Sequence, residues 1–150
     1  MVHALEEIQR LLKPDGCLIE IHPVLEAPLI KVYQGSNVLF VEPYPGYCDE
    51  EDLRAEDARA QVVQRGLFVI ERSGEFDLPT YGSSVPELRD YWAKIDAYDD
   101  SPKEEAVEAR RTELYARVEE IMRTAGQGAE VALHERASIA RLNPRLLDFC

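Results

Sequence analysis

The stretch that decides the reading is Val2 to Pro23, VHALEEIQRLLKPDGCLIEIHP. Leu5, Ile8, Leu11 and Leu12 recur at helical spacing, while Glu6, Glu7, Gln9 and Arg10 fill the opposite side, so the segment predicts an amphipathic helix. Pro14 cannot continue that helix, and Asp15-Gly16 supplies a tight reversal. Cys17 to Ile21 then reads as a short, mostly apolar run with one polar member, Glu20, which predicts a strand largely buried in a sheet. Helix, turn and strand make half of an α/β unit with its first strand missing.

Beyond Pro23, Leu29 to Val41 reads as two short strands around Gln34-Gly35-Ser36-Asn37, a β-hairpin signal. Glu42 to Tyr47 is a stiff loop carrying Tyr44 and Tyr47. Asp49 to Arg65 predicts a helix, with acidic residues at its positive end and Gly66 as its stop; the charge run is a solvated face. Leu67 to Ile70 and Glu75 to Leu78 fit either a hairpin or one long bulged strand. Ser84-Val85-Pro86-Glu87 is a capping box that launches a helix through Leu88, Tyr91, Trp92 and Ile95. Ser101-Pro102-Lys103-Glu104 repeats the device, and the helix after it carries Val107, Leu114, Val118, Ile121 and Met122 as a packing stripe and ends at Gly126. Glu130 to Leu142 alternates, with Val131, Leu133, Ala137 and Ile139 on one face and His134, Arg136 and Ser138 on a wetter one.

At 150 residues, with 45% hydrophobic and 31% charged side chains, the chain suits a single soluble domain spanning 1–150, with 85–125 as a helical elaboration. No apolar run approaches the roughly 18 residues of a membrane span, and no basic-then-apolar leader opens the chain. Seventeen basic against 29 acidic side chains give a net charge of −12, a field that repels a phosphate backbone and argues against nucleic acid as a partner. The cysteines Cys17, Cys48 and Cys150 share no metal-ligand spacing, and a reducing, cytoplasmic setting is expected.

Ala4, Leu5, Glu7, Ile8, Arg10 to Pro14 and Gly16, followed by an apolar strand, resemble the class I S-adenosylmethionine-dependent methyltransferases. In that family the pattern forms the helix before the fifth strand, the turn and the fifth strand. Asp15 departs from it, since a second glycine is usual there. The resemblance implies an α/β fold holding part of a Rossmann-like methyltransferase sheet. Cys17–Ile21, Leu67–Glu71 and Glu130–Leu142 would be the equivalents of strands five, six and seven, the last inserted antiparallel between the other two. The hairpin would be an insert, and helices would flank the sheet.

The family binds its cofactor through a glycine-rich turn after the first strand and an acidic residue ending the second, because glycines admit the ligand to the backbone and a carboxylate accepts from ribose hydroxyls. Among the eight glycines only Gly126-Gln127-Gly128 comes close, and it follows a helix. The cofactor-binding half is therefore expected to lie outside this chain, which would bind no cofactor alone and would use S-adenosylmethionine only when completed. In isolation the chain is expected to be inactive. The edge left by the missing strands would be covered by a second copy or by a chain supplying them.

Candidate site residues are few. His22 follows the strand, where open α/β sheets place their ligand crevice, and with Glu20 it could act as a general base. Tyr44, Tyr47 and Trp92 are candidate substrate contacts, for a small molecule. The plainer reading of His22 is a strand-end residue satisfied by backbone. Glu20 needs a partner if buried, and Arg136 or Arg141 is the expected mate. Three functions follow: a methyltransferase portion acting on a small acceptor, a non-catalytic binding or dimerisation module of the same fold, or a small enzyme using His22 with Glu20.

Overall fold

The computed structural model describes residues 2–46, 50–96 and 104–145. In chain order these form α1 (Val2–Leu11), β1 (Leu18–Pro23), β2 (Leu29–Gln34), β3 (Asn37–Pro43), α2 (Glu50–Gln64), β4 (Phe68–Gly82), α3 (Val85–Asp96), α4 (Glu105–Ala125) and β5 (Ala129–Pro144). The fold is α/β, a mostly antiparallel five-stranded sheet with flanking helices. The chain divides into two compact units, one of Met1–Leu25, Cys48–Asp77 and Arg136–Cys150, the other of Glu26–Tyr47 and Leu78–Glu135.

In the first unit β1 pairs antiparallel with β5, Leu18 opposite Leu142 through Pro23 opposite Ala137. That pairing fills one edge of β5, so β4 takes the other. The Arg145 N–H donates to the Leu67 carbonyl at 2.9 Å, Asn143 reaches Glu71 and Arg136 reaches Glu75, so β4 and β5 also run in opposite directions. The core is Leu5, Ala58, Val62, Phe68, Ala140 and Leu142. Helix α1 docks through Leu5, Ile8 and Leu12, one stripe at i, i+3 and i+7. Gln9 adds a side-chain bond to the Leu67 carbonyl at 2.9 Å. Leu11, expected in that stripe, lies off it and is 71% exposed.

In the second unit β2 pairs with β3 and with the Ala129–His134 half of β5. Ile30, Val32, Val131 and Leu133 meet Val85 and Leu88 of α3 and Leu114, Tyr115 and Val118 of α4. The hairpin turns at Gln34-Gly35-Ser36-Asn37 as the sequence predicts, with Gln34 opposite Asn37. The α3 capping device forms with a shift: the Ser84 hydroxyl accepts from the Glu87 N–H at 3.3 Å, while the Glu87 carboxylate reaches back to the N–H and hydroxyl of Ser83 at 2.7 and 2.6 Å. The second predicted cap falls at 101–103, outside the described residues, and Glu104 makes no side-chain cap bond.

Of the two arrangements left open after Gly66, the structure takes the single long strand, β4, exposed along most of its length as an edge strand. Three sequence expectations are corrected. Cys17–Ile21 was expected to bury its apolar members. Instead Ile19 and Ile21 are 51% and 57% exposed, and Glu20 and His22 turn inward. In β5, Val131 and Leu133 are buried, but past Arg136 the buried set shifts to Ala137, Ser138, Ala140 and Leu142, so Ser138 is not on a wet face. Arg136 and Arg141 pair with Glu75 and Glu71 of β4, not with Glu20, because Arg141 stands opposite Ile19 on the outward side and Glu75 lies within reach of Arg136.

Gly46 shows how closely the loop after β3 meets α4. Its φ is +76°, and a Cβ there would stand 2.2 Å from Val107 Cγ1. Gly46→Ala should therefore destabilise the protein by roughly 1–3 kcal/mol through strain and overpacking, measured as a fall in denaturant midpoint with unchanged m-value.

Candidate functional site

The sequence candidates Glu20 and His22 meet in a buried polar cluster of the first unit. Residues two apart on a strand share a face, and the β1 register sets Glu20 opposite Ala140 and His22 opposite Ser138, all beneath α2. His22 is 7% exposed, and its Nδ1 bonds the Glu20 carboxylate. The bond fixes the orientation of the ring and leaves Nε2 as the nitrogen not engaged by Glu20. Helix α2 supplies Arg59, between the buried positions Ala58 and Val62. The Arg59 guanidinium donates to Glu20 Oε2 at 3.2 Å and to Ser138 Oγ at 3.1 Å, and it lies 3.5 Å from Glu56. Glu20 and Arg59 side chains are 16% and 15% exposed, so each is satisfied almost wholly by protein.

Chemically, this is a histidine oriented by a carboxylate, the orientation a general base needs. Its closure from solvent gives it a second competence, holding β1, α2 and β5 in register through charge-assisted bonds. Sequence reasoning found Glu20 and His22 but missed Arg59 and Ser138. The signal for Arg59 was its place between two apolar helix positions. Ser138 carried none, because β5 buries neighbouring residues together, at 131–133 and at 137–138, so alternation does not mark its inner face.

The candidate substrate contacts lie elsewhere, in the second unit. The Tyr44 hydroxyl bonds the Tyr115 hydroxyl at 2.8 Å, and the Arg111 guanidinium stands 4.9 Å from the Tyr44 ring centre. Arg111 Nε also donates to the Pro45 carbonyl at 3.0 Å, so this loop is pinned to α4. Trp92 is half-buried against the same core, meets Tyr91 edge to face, and its buried indole N–H has no partner among the described residues. Tyr47 lies outside the described residues. A further group, unread in the sequence, joins Tyr33, His134 and Tyr81: the Tyr33 hydroxyl bonds His134 Nε2 at 2.6 Å, and the three ring centres are 5.7 to 6.1 Å apart. Among the described residues, no group of three or more histidine, cysteine or carboxylate side chains could hold a metal ion, and no helix is long and apolar enough to cross a membrane.

Compared with known proteins, the chain matches no family model, no curated protein and no solved structure. Its reading rests on residues and geometry.

Two variants test the electrostatics. Arg59→Ala leaves the Glu20 carboxylate buried with one partner fewer and should cost on the order of 3 kcal/mol. The double variant Glu20→Gln with Arg59→Met should cost less than Arg59→Ala alone, as read by urea unfolding at pH 7. Burial, reinforced by the bond to Tyr44, raises the Tyr115 phenol above its ordinary value. The folded state thus keeps a proton that the unfolded chain loses near pH 10. The stability this brings is complete below that pH and falls as pH rises beyond it. Tyr115→Phe should flatten the alkaline limb of the stability curve between about pH 10 and 12.

Proposed function

We infer that this chain is the substrate-side portion of a class I S-adenosylmethionine-dependent methyltransferase fold, working on a small-molecule acceptor when a cofactor-binding portion completes it. The observation that carries this reading is the strand order of the first unit: β5 lies between β1 and β4 and runs against both. That matches the expected seventh strand between the fifth and sixth. The helix, the Lys13-Pro14-Asp15-Gly16 turn and β1 stand in the order of the matched motif, and the Gly16 N–H closes the turn on the Lys13 carbonyl at 2.9 Å.

The described residues do not by themselves fit the cofactor. Gly126 and Gly128 link α4 to β5, a helix-to-strand turn. Two glycines lie at strand-to-helix passages: Gly46, after β3, where an added Cβ would stand 2.2 Å from Val107 Cγ1, and Gly82, where the α3 N-terminus is already capped by Ser84 and Glu87. No step of methyl transfer is assigned to residues of this chain.

A specific observation favours the second reading, a binding or dimerisation module of the same fold. Ile19 and Ile21 expose apolar side chains, and the free edge of β1 has no strand beside it among the described residues. The two readings separate on the native gene product, isolated from cell extract with an antibody to α4. The methyltransferase reading expects a species, one chain or a complex, that retains radiolabelled S-adenosylmethionine and passes the methyl group to a small molecule. The isolated 150-residue chain should show no change in Tm with that cofactor. A native homodimer of this chain alone, indifferent to S-adenosylmethionine, would overturn the first reading in favour of the second.

A further inference from the structure

Independently of that function, the second unit contains a cavity of about 440 Å³ where the start of α3 meets the end of α4 and the turn into β5. Its volume falls in the range of small-molecule sites. Val85, Pro86 and Met122 give it an apolar wall, and Glu119, Gln127 and the Ser83 and Ser84 segment give it polar groups.

The charge character of this cavity is set by which groups are already satisfied. At the α3 end, the Ser83 N–H and hydroxyl are both taken by the Glu87 carboxylate, and the Glu87 N–H is taken by Ser84. The Glu87 N–H is thus taken and Pro86 has none, which leaves this helix start fewer donors for an anion. At the α4 end acceptors prevail. The last carbonyls of a 21-residue helix carry the negative end of its dipole, and among the described residues only that of Met122 is capped, by the Gly126 N–H at 3.0 Å. Glu120, facing outward, is paired with Arg123. Glu119, which lines the cavity, has no hydrogen bond or ion pair among the described residues. The Gly126 and Gly128 α-carbons face open space, so no side chain narrows the mouth on that side.

We propose that this cavity is a binding site for a small organic amine, its ammonium group held by the Glu119 carboxylate and the α4 terminus and its apolar body against Met122, Val85 and Pro86. A net charge of −12 on the whole chain raises the local concentration of such a cation without selecting this site. Selection comes from pairing one free carboxylate with one apolar wall.

The test is a titration of the isotope-labelled chain with phenethylamine, followed by amide NMR shifts, with 2-phenylethanol as the uncharged molecule of the same shape. Saturable shifts confined to 83–86 and 126–129, absent with the alcohol and weakened about tenfold or more by Glu119→Gln, are expected. Met122→Lys, which sets a cation inside the cavity, should abolish them. Shifts that follow the alcohol equally, that persist in Glu119→Gln, or that spread over the acidic surface and vanish with added salt would each overturn the proposal. Both variants change exposed or half-buried positions, so an unchanged amide spectrum elsewhere confirms that the fold survives.

Discussion

The contact on which the first unit depends is that of Arg59 with Glu20. A carboxylate in a strand can enter a core only if a cation meets it there. Helix α2 brings that cation on the same face as Ala58 and Val62, so docking the helix and neutralising the strand are one event. Because side chains alternate along a strand, drawing Glu20 inward also draws His22 inward and sends Ile19 and Ile21 out. The register with β5 then follows, with Ser138, Ala140 and Leu142 turned toward the helix. Reversing the parity of β1 would bury two isoleucines but strand the Arg59 guanidinium against them.

The two units solve the burial problem differently. The second has a continuous aliphatic core, with Ile30, Val32, Val131 and Leu133 against Leu88, Leu114 and Val118, and its polar side chains work at the margins. Tyr44 and Tyr115 satisfy each other there, while Arg111 ties the loop after β3 to α4. The first has fewer large apolar residues, and alanines at 58 and 140 let helix and sheet come close. Part of its cohesion is polar, carried by the Glu20, His22, Arg59 and Ser138 network and by Gln9 on the Leu67 carbonyl.

Much of this architecture was legible in the residues. Pro14, Asp15-Gly16, the Gln34 to Asn37 turn, Ser84 with Glu87 and Gly126 are local signals whose physics needs no tertiary partner, and the elements they bound formed as read. What was not legible was orientation. The run Cys17 to Ile21 contains alternation as well as apolarity, and only the arrival of Arg59 decides which side is inside. Whether Leu67 to Leu78 folds back or runs straight depends on β5 offering an edge along that length. For the site, the pairing of His22 with Glu20 could be read from their spacing of two. Ser138 could not, since β5 buries Val131, Ala132 and Leu133 alike and then Ala137 beside Ser138, so no single alternation marks its inner face. Tyr44 looked free in sequence because its partner, Tyr115, is 71 residues away.

The same parity that satisfies Glu20 shapes what β1 offers outward. The Val24 N–H bonds the Arg136 carbonyl, so along β1 the even-numbered residues direct their backbone groups to β5. The N–H and C=O groups of Ile19 and Ile21 therefore face the other edge, together with two exposed isoleucine side chains. Pro23 has no N–H, so strand pairing on that edge ends with Ile21. An incoming strand would find a short ladder beside an apolar strip, with no charge on the strip itself. A soluble edge strand ordinarily carries a charge or a bulge to discourage pairing. Here the charged residue of β1 has been spent inward on Arg59, and the undefended edge is the direct consequence of that buried ion pair.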